Sequence, residues 1–356
     1  MGSKRDMRRG SQATAVFVII LGTFAIMACI VSLLLYLHYE QALRSLKTQQ
    51  VTDAGIEPLD PEKTTYTTEE VQTLLLETEE ETKSNMLAVI KEKMLSGEGT
   101  VEMLKDFYPE NIIMLYDNIY YFYEISETLA KHNYLEENFK LNLNNELEYY
   151  DNGTLASHKG IDVSKYQGEI DWAQVKSAGV EYAFLRLGIR GYESGALVLD
   201  ETYLANVEGA NLNGIQVGVY FFTQAVNTTE AVEEAQFVLD NIASDQVNYP
   251  IVFDIEDVGG ETARTADLTV EERTAITIAF CETIKEAGFT PMIYGNTHTF
   301  LQMLDMEQLE NYEKWFAYYD TPVYFPYQFS IWQYSDVGTM PGIQGGVDIN
   351  ISFKEW

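Results

Sequence analysis

The chain is poor in cysteine and in positive charge, and each shortage excludes something. Only Cys29 and Cys281 occur among 356 residues. One lies in a long apolar run and the other in a helical pattern far downstream, so no disulfide framework is expected. The core must then hold without covalent cross-links, and Cys281 reads as a small buried apolar residue. Lys and Arg number 23 against 55 Asp and Glu, a formal net charge of -32. This excludes nucleic acid as a partner, because phosphate binding draws on clustered Lys and Arg. The four histidines all fall outside the strand-like runs described below, which argues against a metal site there. No Gly-rich phosphate loop follows the first of those runs, which argues against dinucleotide binding. No cofactor is expected. What is present is a 46 % hydrophobic, 13 % aromatic chain, far from a disordered acidic tail and long enough for about two domains.

Basic residues gather at the start. Lys4, Arg5, Arg8 and Arg9, in a tail over 1–12, precede the uncharged run "ATAVFVIILGTFAIMACIVSLLLY" at 13–36. About 20 apolar residues span a bilayer. The run is longer than a signal-peptide core, and no convincing A-x-A follows it. The expectation is an uncleaved, single-pass transmembrane helix. The positive-inside rule keeps the N-terminus cytoplasmic and places the rest outside the cell membrane, facing the cell wall. Residues 37–66 contain "VTDAGIEPLDPEKTT" and read as a juxtamembrane linker. Residues 67–157 read as a helical stalk with a small accessory domain. A helix is expected from a Thr67 or Thr68 cap to a Gly97 stop. Its tyrosines suit a small core better than sugar stacking. Cell-wall assembly or secretion machinery is the partner open to this region.

From "SHKGIDVSKYQG" onward the pattern alternates. Strand-like runs are "GIDVS" (160–164), "YAFLRLG" (182–188), "QVGVYFF" (216–222) and "YPIVFDIE" (249–256). They continue with "TPMIYGN" (290–296), "KWFAYY" (314–319), "FSIWQYS" (329–335) and "GVDINIS" (346–352). Helical patterns separate the earlier runs, including "TVEERTAITIAFCETIKEAG" with its Thr269–Glu272 capping box and "HTFLQMLDMEQLEN" after the fifth. After the sixth run the connections shorten. The fold class expected over 158–356 is α/β, a parallel, irregular, flattened (β/α) TIM-like barrel of eight strands with reduced late helices.

Barrel chemistry sits at the C-terminal strand ends. Residues two apart in a strand share a face, so Asp254 and Glu256 point together, with Cα atoms about 6.5 Å apart. Asp162 near the end of the first strand and Asp348 in the eighth, beside it on closure, bring four carboxylates to one mouth. Crowded carboxyls split their pKa values, so that one holds a proton while another stays ionised. Glycosidic cleavage needs that pair of roles. A set of solvated or helix-capping acids is the plainer alternative. Tyr220, Tyr294, Tyr318, Tyr319, Trp332 and Tyr334 lie near the same strand ends, where amphipathic rings suit sugars. Trp315, early in its strand, reads as core. Arg186 either meets a substrate carboxylate and offsets the acids, or forms a structural ion pair.

These motifs together resemble glycoside hydrolase family 25, the Chalaropsis-type lysozymes. "GIDVSKYQGEIDWAQVKSAGVEYAFLRLG", "VGVYFF", "VFDIED", "WQYS" and "GGVDINIS" carry the resemblance, over about residues 160–356. It implies a flattened (β/α) barrel and cleavage of the β-1,4 bond between N-acetylmuramic acid and N-acetylglucosamine in peptidoglycan. By motif, Glu256 would be the general acid. Asp254 would be a nucleophile or the group that orients the 2-acetamido substituent, and Asp162 and Asp348 would shape the site. Tyr220 matches a family tyrosine, and Arg186, Tyr294, Tyr318 and Trp332 complete the expected substrate-binding set. Phe221 stands where many members have His, and Arg186 where many have Lys. Spacing alone leaves direct retention, inversion and acetamide-assisted retention open, with the last preferred. Two rival functions are a peptidoglycan-binding scaffold and a glycosidase for another N-acetylhexosamine polymer such as chitin.

Overall fold

The structure, a computed structural model, describes residues 66–259 and 263–356. The apolar run 13–36 lies outside the described residues, as does nearly all of the linker. Among the described residues no helix is long and apolar enough to cross a membrane. The chain divides after Glu98 into two compact units.

The first unit contributes helix α1 (Thr68–Ser96). Thr67 caps it, accepting from Glu70 N while the Glu70 carboxylate accepts from Thr67 N. Gly97 ends it at φ 81°, the left-handed conformation that glycine adopts without a Cβ penalty. Both ends fall where the capping residues place them.

The second unit, Gly99–Trp356, contains the barrel. Its eight strands are β6 (His158–Val163), β7 (Tyr182–Arg190), β9 (Gln216–Phe222), β10 (Ile251–Asp254), β11 (Pro291–Asn296), β12 (Glu313–Ala317), β13 (Ile331–Gly338) and β14 (Val347–Ser352). Pairing runs β6-β14-β13-β12-β11-β10-β9-β7 and closes through β6–β7. A short β8 (Leu197–Leu199) hangs antiparallel on β7. Helices α3 (Trp172–Ser177), α4 (Tyr203–Leu212), α5 (Thr228–Asn241) and α6 (Val270–Glu286) fill the first four strand-to-strand connections. All eight expected strands are present. The helix expected at 298–311 is reduced to one π-helical turn, Thr299–Met303.

The barrel is not wholly parallel. β14 runs antiparallel to both β13 and β6. Residues 339–346 join β13 to β14, and a parallel return needs a crossover of about a dozen residues or more. The reversal has a consequence for the rim. Asp348 lies near the start of β14, yet pairs with Asp162 near the end of β6. A parallel β14 would have carried it to the opposite end.

Large rings fill the barrel interior: Tyr182, Phe184 and Trp315, with Tyr249, Val252, Met292 and Ile331. Two small residues make room for them. A Cβ on Gly160 or Gly218 would overlap the ring of Tyr182 or Phe184.

The sequence reading sets residues 67–157 apart as a stalk and accessory domain. In the structure, residues 99–157 belong to the same compact unit as the barrel. They comprise α2 (Thr100–Phe107), a hairpin of β1 (Asn111–Tyr116) and β2 (Ile119–Glu124), and a meander of β3 (Phe139–Leu141), β4 (Leu147–Asp151) and β5 (Thr154–Leu155). Asp117 and Asn118, both at positive φ, make the two-residue turn of the first hairpin. The region covers outer barrel surface where the late helices are missing. Phe139 sets its ring edge on Trp332 of β13, and Tyr134 stacks on Phe353 at 3.9 Å. The Tyr334 hydroxyl accepts from Leu147 N. Ile112, Leu129 and Leu147 join the barrel's outer core.

Candidate active site

Three strands and one loop bring the four acids together. Asp162 comes from β6, Asp254 from the end of β10, and Asp348 from β14. The strand expected through Glu256 stops at Asp254, so Glu256 lies in the segment that follows. The alternation still holds. Val252 packs inside the barrel, whereas Phe253 and Ile255 join the outer core.

The acids form two hydrogen-bonded pairs, Asp162 with Asp348 and Asp254 with Glu256. Two carboxylates in contact need a proton between them. Burial pushes the Asp348 carboxyl up, and the Asp162 charge beside it pushes further, to about 9. Asp162 is also raised by burial, although hydrogen bonds from Asn350 and Gln333 favour its charged form. In the second pair burial raises both. Asp254, 4 % exposed, lies well above the usual range, lifted by burial and then by Glu256. Glu256 is raised by burial and pulled back by its hydrogen bond with Asp254. The proton of this pair therefore rests on the more buried Asp254, with Glu256 accepting. Among the described residues, Asp254 Oδ1 has no hydrogen-bond partner and is buried.

Two amides missed by the sequence reading hold this arrangement. Asp162 Oδ2 accepts from Gln333 Nε2 at 2.8 Å and from Asn350 Nδ2 at 2.7 Å. Gln333 Oε1 accepts from the hydroxyls of Tyr294 at 2.8 Å and Tyr319 at 2.9 Å. Trp315 Nε1 donates to Asn350 Oδ1 at 2.8 Å. Strand parity was the available signal. Gln333 shares the inward face of β13 with Ile331, and Asn350 stands two residues from Asp348.

The remaining expected residues divide. Tyr220 lies against the interior ring cluster and feels the charges of Asp162, Arg186, Asp254 and Asp348. Tyr294 packs edge-on to Trp315 at 4.7 Å. Burial raises both phenols well above their ordinary value, so each is a neutral donor. Arg186 donates from Nε to Asp200 at 2.8 Å and lies 5.0 Å from the Tyr166 ring centre. It is an ion pair that also lowers the pKa of Asp254. Tyr318 and Trp332 do not join the mouth. Trp332 is fully buried on the outer face, where its Nε1 donates to the Tyr318 carbonyl at 2.7 Å. Tyr318 stacks on outward-facing Phe316, and its neighbour Tyr319 reaches inward instead. Trp315 is core, as expected.

A cleft of about 400 Å³ lies beside the segment after Glu256, lined by Tyr116, Asp257, Arg273 and His298 among others.

The chain is similar to several known proteins. Lysozyme M1 of Streptomyces globisporus is 29 % identical over 205 residues, covering 54 % of this chain and 66 % of that protein. The uncharacterized protein YegX of Escherichia coli K12 is 29 % identical over 203 residues, 54 % of this chain and 68 % of that one. The modular autolysin LytC of Streptococcus pneumoniae, solved with a synthetic peptidoglycan ligand, shares the fold. Its TM-score is 0.51 at 23 % identity, over 67 % of this chain and 57 % of LytC. The profile described as glycosyl hydrolases family 25 matches residues 161–343, a span that includes Asp162, Asp254, Glu256 and Gln333. On that match, over half its length, the chain belongs to family 25 of the glycosyl hydrolases.

Proposed function

We propose that this glycoside hydrolase is a muramidase that cuts the β-1,4 bond between N-acetylmuramic acid and N-acetylglucosamine in peptidoglycan. The observation that carries the reading is the set of two proton-sharing carboxyl pairs on one rim of a family 25 barrel. Glu256, less enclosed than Asp254, is the general acid. It protonates the glycosidic oxygen as the bond to the muramyl anomeric carbon breaks, and its carboxylate then takes a proton from the water that adds at that carbon. The proton that rests on Asp254 passes along their hydrogen bond to Glu256 for the first of these transfers, which leaves Asp254 ionised. Asp254, left as a carboxylate, suits accepting a hydrogen bond from the N–H of the substrate's 2-acetamido group, whose carbonyl oxygen attacks the anomeric carbon from the opposite face. Asp162 and Asp348 hold one negative charge near the developing positive charge, with Gln333 and Asn350 fixing Asp162. Tyr220 and Tyr294 offer neutral hydroxyls to the sugars.

The same reading makes the protein a cell-surface enzyme held by residues 13–36, with its basic tail inside and the hydrolase facing the wall. The test of the chemistry is mass spectrometry of soluble products from purified peptidoglycan. Fragments with a muramic acid reducing end are expected, and Glu256→Gln should abolish them. Products ending in N-acetylglucosamine, or equal release by the variant, would overturn the assignment. Partition of the full chain into the membrane fraction after alkaline washing tests the anchor.

A further inference from the structure

We propose that the β1–β2 hairpin is part of the hydrolase machinery, with Tyr116 as a positioning residue for the segment that carries Glu256. The inference rests on the muramidase reading and adds to it a part of the chain outside the family match.

Glu256 has little support from the sheet. β10 stops at Asp254, and the backbone beyond it leaves the ladder. What holds the next residues is side-chain contact. The Ile255 side chain is buried in the outer core, and its carbonyl accepts from Thr299 Oγ1 at 3.4 Å. Asp257, next to Glu256, is tied on both carboxylate oxygens. Its Oδ1 accepts from Gly259 N at 2.9 Å, which closes the turn. Its Oδ2 accepts from the Tyr116 hydroxyl at 2.5 Å. The Tyr116 ring also stacks on His298, with centroids 3.8 Å apart and planes 7° apart. His298 Nε2 lies 3.6 Å from the same Asp257 oxygen. The phenol thus makes a charge-assisted hydrogen bond with its ring fixed from below.

The base of this clamp is rigid. Ile112, Ile113 and Met114 of β1 are buried. The Tyr324 hydroxyl accepts from Ile113 N at 3.1 Å and donates to the Asn111 carbonyl at 2.9 Å, which ties the strand to the barrel. The donor is also constant. Its hydrogen bond to Asp257, followed by burial, raises the Tyr116 phenol to about 12, and the same bond holds Asp257 below the usual carboxylate range. Neither partner changes charge near neutrality. Small displacements of a reacting group are costly, since about 1 Å of misplacement reduces rate on the order of 100-fold. A clamp one residue from the general acid therefore acts on turnover.

The test uses the full chain and soluble glycan strands. Tyr116→Phe removes the hydroxyl and keeps the stack, whereas Tyr116→Ala removes both. The expected result is a kcat lowered about tenfold in Tyr116→Phe and further in Tyr116→Ala, with KM within about twofold of wild type. Thermal melting of Tyr116→Phe should stay close to wild type, which separates positioning from folding. A second readout needs no substrate. Amide hydrogen exchange over residues 255–259 should quicken in Tyr116→Phe. Wild-type kcat and wild-type exchange in both variants would overturn the proposal, as would a change confined to KM. If the wild-type chain released no muropeptides, the muramidase reading would fail, and the exchange measurement would still decide whether Tyr116 holds the segment.

Discussion

Outside the barrel, Arg190 of β7 meets Glu234 of α5 at 2.7 Å and Glu233 at 3.2 Å. Arg264 holds Glu230 through two bonds of 2.9 Å. At the mouth, Asp162, Asp254, Glu256 and Asp348 meet one another instead. Both places bury acid, but they neutralise it differently. Burial raises Glu234 only to about 7, because the Thr223 hydroxyl and Arg190 favour its charged form. The mouth has no cation in contact with its acids among the described residues, since Arg186 is committed to Asp200. Protons take the cation's place there, and Asp348 rises to about 9. An acid paired with arginine braces the fold and is held closer to its ordinary range. An acid paired with another acid costs stability and keeps a transferable proton.

That contrast predicts opposite outcomes for similar edits. The largest effect is expected at the mouth. Glu256→Gln should lower kcat on peptidoglycan by about 10³-fold or more, a typical share for a general acid, without lowering the melting temperature. A variant that melts well below wild type would place Glu256 with the bracing acids. The next largest is expected outside. Arg190→Leu leaves Glu234 buried and unpaired, and loss of one partner of a buried pair costs about 3–5 kcal/mol. Chemical denaturation should show that loss. A loss within about 1 kcal/mol would mean that Glu234 simply takes up a proton, and the two clusters would then differ less than their contacts suggest.

How far the sequence foretold this follows from local periodicity. All eight strands could be read from their apolar runs, and Asp162 and Asp348 could be placed side by side once closure was assumed. The reversed β14 was not foreseen, although the short 339–346 connection excludes a crossover helix. Position near a strand end put Trp332 and Tyr318 in the site, but parity turns both outward, and Gln333 and Tyr319 hold the inward places. The hairpin contact was beyond reach. Tyr116 and Asp257 are 141 positions apart, and nothing in either segment's pattern points to the other.

Parity gives the next comparison its test. Gln333→Leu should lower kcat by about 10- to 100-fold, because it strips a hydrogen bond from Asp162 and leaves the Tyr294 and Tyr319 hydroxyls without an acceptor. Trp332→Phe, one residue away, should keep kcat within about twofold and lose roughly 1–3 kcal/mol of stability through the Tyr318 carbonyl and the vacated volume. Equal kinetic losses at both positions would erase the distinction between the two faces of β13.

The smallest effect is a change of sign with pH. Folded Asp348 keeps its proton to about 9, whereas the unfolded chain releases it near 3.9. Between those values the unfolded state binds fewer protons, so this group's contribution to stability falls as pH rises. Asparagine has no proton to lose, and its amide can still donate to Asp162. Asp348→Asn should therefore melt close to wild type at pH 4 and a few degrees above it at pH 8, with reduced activity at both. Glu234, raised to about 7, adds a fall in the same direction, but it is present in both proteins and cancels from their difference. A melting difference that stays constant from pH 4 to pH 8 would show that Asp348 is ionised in the folded protein, and the proton-sharing account of the mouth would fail at its most exposed pair.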